Sequence, residues 1–506
     1  MKIALINTYE SFGGAAIACH RLFRGLLQTG MDCRLVVKCK QSDDDLVIRA
    51  SADESDPEAS DILSAMTLLV DRYIINNRTD ITNTIFSLPH VGYNLSTFNF
   101  IRSADVINLH WVADFQSPST IRSLLALGKP VVWTLHDQWP FTGGCHFSAG
   151  CEGYRADCAP CPQLAEDPFR ISAAVLRDKL SLIRKEQLTI VTPSRWLANC
   201  ARQSVLFAKS RIEVIPNGLD TEWFTPIPKD TAKRMMGFDP EKIIILMGAH
   251  RMDESRKGGQ EALAAIGCCL ENSAFRDLVN NELVTPVCFG AESQSSVKSA
   301  LPMVSLGYLD SVERMSLAYA AADMFLLPSL EDNLPNTMLE AMSCGTPVIA
   351  FRTGGIPDAI VDGVSGRLVE PKNVTQMAEA IVSLAMDPDQ CRRMGEACRL
   401  TALRSFALDI QARRYLDLFD DLTKTRQAQP GPLKLTRHEV EGSPRDHEDC
   451  IAIDVEMGSN LGTAVIRFYL NLFSEASAEK GRIAVLYKIW VKLKQLLRTC
   501  LQRIRS

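Results

Sequence analysis

Short runs rich in Val, Ile and Leu alternate with helical patterns along most of this chain, and that alternation constrains the fold more than any single motif. The first runs fall at 2–8, 33–39, 106–112, 131–136 and 188–193. A second series follows at 243–249, 285–290, 304–309, 324–328, 347–351 and 366–370, with helical segments such as 311–322 between its members. Strands separated by helices predict parallel α/β sheets, and two series predict two doubly wound, Rossmann-like domains. The length of 506 residues agrees with two large domains and a remainder. Pro216, Asn217 and Gly218 supply turn chemistry between the series. The expected organisation is therefore a first domain over 1–217, a second over 218–400 and a helix over 401–423 packing on the body.

From 424 to 449 the chain turns rich in Pro, Gly and charge without a period, which predicts a linker. Residues 450–506 form a tail. From Lys480 onward it holds eight basic residues and no acidic one, and its apolar residues Ile483, Leu486, Ile489, Leu493, Leu496, Cys500 and Ile504 recur at helical spacing. The expectation is an amphipathic basic helix on an anionic membrane surface. The chain carries a formal net charge of -5, so nucleic acid is not expected as a partner. The first residues read as a strand ending in glycines, without a signal-peptide pattern, and no run of about 18 apolar residues is present. A cytoplasmic protein, peripheral on the inner face of the plasma membrane, is expected.

The segment PSLEDNLPNTMLEAMSCGTPVIAF, residues 328–351, reads as strand end, loop, helix, glycine stop and strand. A helix starting after Pro335 leaves backbone N–H groups near Thr337 and Met338 for phosphate oxygens. Glu340, one turn in, suits the vicinal hydroxyls of a ribose, and Asp332 faces the same crevice. In ILMGAHRMDESRKGGQEAL, residues 245–263, the cations Arg251, Arg256 and Lys257 follow a strand, where they suit a diphosphate leaving group. Gly13 and Gly14 follow the first strand and allow close approach of a phosphate. His110 and His136 end strands on the same side. Carboxylates near a helix start also serve as caps, and strand-end histidines are often structural.

Cys145, Cys151, Cys158 and Cys161 are spaced C-x5-C-x6-C-x2-C, four thiols within 17 residues. Four converging thiolates suit a tetrahedral structural zinc, with His146 able to replace one ligand. Free thiols or a redox pair are the alternatives.

Together these segments resemble the retaining glycosyltransferases of family 4 over about residues 1–420. The resemblance implies the GT-B fold, two Rossmann-like domains facing across a cleft. It implies a nucleotide-sugar donor, a glycan acceptor and transfer without a catalytic metal. It places Glu340 on the donor ribose. The family's first acidic position, seven intervening residues upstream, falls on Asp332, with Glu331 as the alternative. His136 is implied at the transferred sugar, and Lys257 with an upstream arginine, Arg251 in preference to Arg256, on the pyrophosphate. The cysteine-rich WPFTGGCH segment is similar to enzymes of colanic-acid and related exopolysaccharide assembly, which implies a polyprenyl-linked acceptor. The rival expectations are a GT-B epimerase or phosphorylase, and a non-catalytic scaffold subunit.

Overall fold

The computed structural model describes residues 1–52, 68, 70–89, 92–183, 187–251, 253–291, 300–427, 450–453, 455–456 and 460. The first sheet contains β1 (Lys2–Tyr9), β2 (Asp32–Cys39), β3 (Val47–Ala52), β5 (Val106–Leu109), β6 (Val131–Thr134), β7 (Leu188–Thr192) and β8 (Arg211–Val214), while β4 (Gly92–Tyr93) stands apart. The strands run parallel in the order β3-β2-β1-β5-β6-β7-β8. The second sheet contains β9 (Ile243–Arg251), β10 (Val284–Ala291), β11 (Val304–Ser305), β12 (Met324–Leu327), β13 (Val348–Phe351) and β14 (Gly366–Val369). It is also parallel, in the order β11-β10-β9-β12-β13-β14.

Parallel strands covered by helices on both faces must be apolar on both, which is why the sequence runs are unbroken rather than alternating. In β1, Ala4 and Ile6 enter one core layer with Val36, Ile107 and Trp133. Ile3 and Leu5 enter the opposite layer with Leu22, Phe23 and Phe419. Each such large side chain contributes roughly 1.5–3 kcal/mol on burial.

Five helices matter for the site: α1 (Gly14–Gln28), α2 (Gly259–Cys269), α3 (Asn336–Ser343), α4 (Pro388–Ser405) and α5 (Leu408–Gln427). Although it follows the second domain in sequence, α5 completes the first. Its Ala412, Tyr415, Leu418 and Phe419 lie in the core layer of Ile3 and Leu5. Gly25 makes this possible: a β-carbon there would stand 3.0 Å from Leu408 and 3.3 Å from the Ala412 methyl. Leu219 binds both sides of the return, accepting from the Leu408 amide (3.0 Å) and donating to the Phe406 carbonyl (2.9 Å).

Several details differ from the sequence reading. β3 was not anticipated, because VIRASA places Arg49 in the middle of a short edge-side run. β11 spans two residues rather than 304–309, since the chain turns away at Gly307, whose φ is +67°. The helices run 388–405 and 408–427, so a boundary at 400 cuts α4, and α5 continues four residues into the expected linker. Cys450–Ile453, expected as the start of the tail, forms β15, which pairs parallel with β3. Val455–Glu456 forms β16, antiparallel to β4. The basic helix expected from Lys480 lies outside the described residues. Among the described residues no helix is long and apolar enough to cross a membrane.

Because Phe419 is wholly buried in the first domain's core, Phe419→Ala should cost that domain about 3–5 kcal/mol. Chemical denaturation followed by exchange of the β1 amides checks this.

Candidate active site

Doubly wound sheets open a crevice at the carboxyl ends of their strands where strand order reverses. In the second sheet that point lies between β9 and β12, whose following loops carry Arg256–Gly258 and Glu331–Leu334. In the first it lies between β1 and β5, whose following loops carry Gly13 and His110. The topology therefore delivers the sequence-derived candidates to strand ends on both sides of one cleft.

In the second domain the two loops touch backbone to backbone. Gly258 has φ +70°, and a β-carbon there would lie 1.8 Å from the Pro328 carbonyl oxygen, so only glycine fits. Lys257, beside it, donates from Nζ to Asp332 Oδ2 at 2.6 Å. Arg256 Nη1 stands 3.3 Å from the same oxygen, and its guanidinium lies 4.1 Å from the Phe147 ring centroid. The Asn333 amide donates to Asp332 Oδ1 at 3.0 Å. Burial raises the Asp332 carboxyl, but Lys257, Arg256 and these hydrogen bonds outweigh it and hold the group below the usual carboxylate range. Burial lowers the Lys257 ammonium, and repulsion by Arg256 adds to the effect. The two partners thus shift in opposite senses with respect to the strength of their pair; the short charge-assisted bond is the firmer guide to it.

Of the two arginines, the structure brings Arg256 and not Arg251 to Lys257. Arg251 is exposed and forks onto Asp253 at 2.6 and 3.1 Å. The two candidate acids also separate. Glu331 accepts from the Ala149 amide at 3.0 Å and the Ser148 hydroxyl at 3.5 Å, and burial raises its carboxyl. It fastens the cysteine-bearing loop of the first domain, while Asp332 faces the cations.

The next residues stitch the domains together. Asn333 donates from Nδ2 to the His136 carbonyl at 3.1 Å and accepts from the Ser194 hydroxyl at 2.6 Å. Asn336 Nδ2 donates to the Gly14 carbonyl at 2.9 Å, across from Gly13, whose φ is +88°. Pro335 starts α3 without a side-chain cap, and no acid occupies the first turn, so the carboxylates here are not caps. The Met338 amide donates to the Pro335 carbonyl at 3.2 Å, which corrects its assignment as an open donor. Thr337 retains its place in the uncapped first turn. Glu340 is buried and accepts at Oε1 from Arg21 Nη2 (2.6 Å) and at Oε2 from the Tyr319 hydroxyl (3.2 Å).

His136 and His110 share one hydrogen bond, Nε2 to Nδ1, at 3.0 Å. Asn108 Nδ2 donates to carbonyl and hydroxyl oxygens, so its Oδ1 accepts from His110 Nε2 at 3.1 Å. His110 Nδ1 is then an acceptor, His136 Nε2 carries the proton, and His136 Nδ1 is an acceptor too. Burial pushes His136 down to about 4, against the pull of Asp137, and pushes His110 well below its ordinary value, with His136 adding to the effect. Both are neutral at pH 7.

His146 is not available as a metal ligand. It lies buried between Asp137 Oδ2 (Nδ1, 2.7 Å) and the Ser87 hydroxyl (Nε2, 2.7 Å), stacked between Trp111 and Trp139. The four cysteines line one cavity, described below.

The matches to known proteins agree with this architecture. Residues 12–223 match the family model described as Glycosyltransferase Family 4, and residues 242–387 match the one described as Glycosyl transferases group 1. The chain thus carries one domain matching each of these two glycosyltransferase family models. A D-inositol 3-phosphate glycosyltransferase of Kribbella flavida is 28% identical over 227 residues, 44% of this chain and 53% of that protein. The putative colanic acid biosynthesis glycosyl transferase WcaC of Escherichia coli K12 is 28% identical over 256 residues, 49% of this chain and 58% of that protein. The chain thus spans about half the length of these curated relatives. The crystal structure of Anabaena Alr3699/HepE in complex with UDP-glucose matches with TM-score 0.54 at 15% identity, over 83% of this chain and 100% of that one. That likeness establishes the GT-B fold.

Sequence reasoning missed Arg21, Asn333 and Tyr319. Arg21 had a signal: seven residues after Gly14, it sits two turns along the helix that the glycines start. Asn333 and Tyr319 had none, because their contacts come only from the packed loops.

A histidine whose folded pKa lies below its unfolded value of about 6.5 takes up its proton in the unfolded chain first. His136 should therefore contribute fully above that pH and lose roughly 2–3 kcal/mol as pH falls towards about 4. Histidine NMR should show neither ring titrating between pH 5 and 8; a midpoint near 6.5 for His136 would refute its burial as neutral imidazole.

Proposed function

We propose that this protein transfers a sugar from a nucleotide-sugar donor to a hydroxyl of a growing glycan, with retention of anomeric configuration, in the cleft between its domains. The supporting observation is a pair of unspent donors on either side of residues 331–340: Arg21 Nη1 and Arg256 Nε are buried and have no hydrogen-bond partner among the described residues. Leaving such a donor unmade costs about 1–3 kcal/mol, more for a charged group, so both call for an anionic acceptor. A donor diphosphate has the oxygens to satisfy them, together with Lys257 and the uncapped start of α3 at Asn336 and Thr337.

In this reading the leaving diphosphate sits between Lys257, Arg256 and the α3 N-terminus. These fixed charges take the role that a divalent cation plays elsewhere, so transfer proceeds without added metal. Glu340 receives the ribose hydroxyls. A carboxylate offers about four acceptor positions, and Arg21 and Tyr319 use two. Neutral His136 presents Nδ1 to a sugar hydroxyl, and Asp332, kept ionised by its cations, accepts from another or stabilises developing positive charge at the anomeric carbon. The departing phosphate oxygen takes the acceptor's proton on the same face, which is what preserves configuration.

The relatives' names support this reading, WcaC a glycan acceptor through colanic acid and the HepE complex a nucleotide-sugar donor through its bound UDP-glucose. A polyprenyl-linked acceptor at the inner face of the plasma membrane would give the basic tail a purpose, since each basic residue near an anionic surface contributes about 1 kcal/mol.

Calorimetric titration of the full chain with UDP, GDP and other nucleoside diphosphates, without metal, should show selective binding by one. Binding by none in folded protein would favour a scaffold subunit. Glu340→Gln should weaken that binding by roughly 1.5–3 kcal/mol; unchanged affinity would remove Glu340 from the ribose site. Deleting residues 480–506 should release the protein from anionic liposomes and leave nucleotide affinity intact, and equal liposome binding would refute the anchor.

A further inference from the structure

The loop 142–163 holds the one sequence motif that sugar transfer does not use. Cys145, Cys151, Cys158 and Cys161 all line a single cavity of about 20 Å³, closed by Phe86 and Tyr154. That volume exceeds the roughly 10–15 Å³ that one water-sized sphere requires. As the side chains stand, no group of three or more His, Cys, Asp and Glu among the described residues is arranged around a common ion. Three other features nevertheless show what the cavity is built for.

First, hydrogen bonds are aimed at the sulfurs. Cys151 Sγ accepts from the Gly153 amide at 3.3 Å. Cys161 faces the Gln163 amide, again two residues ahead, and the buried Ser172 hydroxyl, which also lines the cavity, has no hydrogen-bond partner among the described residues. Cys158 faces the Gly143 amide, while the Thr142 hydroxyl donates to the Cys145 carbonyl at 2.6 Å and holds that residue's backbone. Donors pointing at sulfur suit metal-bound thiolates, whereas burial alone raises these thiols and favours S–H.

Second, two basic side chains face the cluster, neither of them ion-paired with a carboxylate among the described residues. Lys179, on the helix Ile171–Leu182, is 1% exposed and donates to the Trp139 and Thr142 carbonyls. Its ammonium lies 4.2 Å from the Trp139 ring centroid. Arg78 donates to the Thr82 and Thr84 carbonyls and to Gln163 Oε1, and its Nε is buried without a partner. Neither forms an ion pair among the described residues. Burial lowers Lys179 to about 7, opposed by the neighbouring Cys158, Cys145 and Asp137, and it lowers Arg78, opposed by Cys145 and Cys161. Buried ammonium and guanidinium groups demand counter-charge. Four thiols supply none, whereas four thiolates around a divalent ion supply two negative charges, matching two cations.

Third, the backbone accepts strain to bring the sulfurs in. Cys158 has φ +57°, a left-handed conformation rare for a residue with a side chain. A β-carbon on Gly143 would lie 2.4 Å from the Ser172 carbonyl oxygen and 3.0 Å from the Cys158 β-carbon. Glycine there lets Cys158 approach.

We propose that Cys145, Cys151, Cys158 and Cys161 gather as thiolates around one structural zinc ion, with Lys179 and Arg78 as its buried counter-ions. Binding releases the four S–H protons to solvent and leaves zinc four-coordinate, with no open position for chemistry. The closed site fixes the stretch between its ligands. That stretch carries Phe147, against which Arg256 rests, and Ser148 and Ala149, which hold Glu331. The metal thus stiffens the first-domain wall of the cleft.

The test uses the full chain purified without chelator. Elemental mass spectrometry should find one zinc per chain. Exchange for cobalt(II) should give the thiolate charge-transfer band and intense visible bands of a tetrahedral sulfur site. Cys151→Ser and Cys161→Ser should each abolish stoichiometric zinc, Cys268→Ser should retain it, and Lys179→Met should lower zinc affinity at least tenfold. Zinc below a tenth of an equivalent in folded wild-type protein would overturn the proposal, as would iron in its place. An intact mass showing disulfides among these four cysteines, or zinc retained by both ligand variants, would do the same. If a variant fails to fold, the cobalt spectrum of the wild-type chain decides alone, and an octahedral spectrum refutes the site. Nucleoside diphosphate binding plays no part in these readouts, so the zinc site and the transferase reading fail separately.

Discussion

One buried carboxylate held between two cations organises the cleft. Asp332 joins the loop after β12 to Lys257 and Arg256 in the loop after β9, which are the two loops that the strand order 3-2-1-4-5-6 places at its switch point. An ionised group this deep is tolerable only when paired and hydrogen-bonded. Its partners are therefore fixed in number and position. The same electrostatics that hold the loops together also gather positive charge where a diphosphate would leave, so structure and chemistry draw on one arrangement.

From that anchor the chain reaches across the cleft in a few residues. Glu331 grips the cysteine loop, Asn333 the His136 carbonyl, Asn336 the Gly14 carbonyl and Glu340 the Arg21 guanidinium. Each contact is polar and directional, and together they join the second domain to the cysteine loop, the end of β6 and helix α1 of the first. Such a seam is unlike a hydrophobic core: water or ligand oxygens can replace its hydrogen bonds one by one. It suits two domains that must meet around a substrate.

Much of this was legible in the sequence for a definite reason. Parallel strands buried on both faces leave unbroken apolar runs, so the two sheets and most of their strands could be read directly; edge strands such as β3, which carries Arg49, could not. Lys257, Asp332, Glu340 and His136 were legible because each sits at a fixed offset from a strand end or a helix start. The choice between Arg251 and Arg256 was not, because both follow the same strand and only the packing of Arg256 on Phe147, from the other domain, separates them. His146 misled for a similar reason. Its proximity in sequence to Cys145 suggested a ligand, but Asp137, Ser87 and two tryptophans had already claimed both ring nitrogens and both faces.

The return of α5 to the first domain ties the far end of the body to the cleft. Tyr415 on α5 shares a hydrogen bond with the Thr134 hydroxyl at 2.9 Å. Thr134 accepts from Asn108 Nδ2 at 3.0 Å, and Asn108 Oδ1 orients His110, which in turn fixes the proton on His136 Nε2. Every member of this chain except His136 is buried, so rotating any one would strand a polar group without water. The tautomer that His136 offers to the cleft is thus set from a helix that follows the entire second domain in sequence. Leu219, bonded to Phe406 and Leu408, fastens the start of that helix to the segment that leaves the first domain, so both crossings between the domains are held side by side.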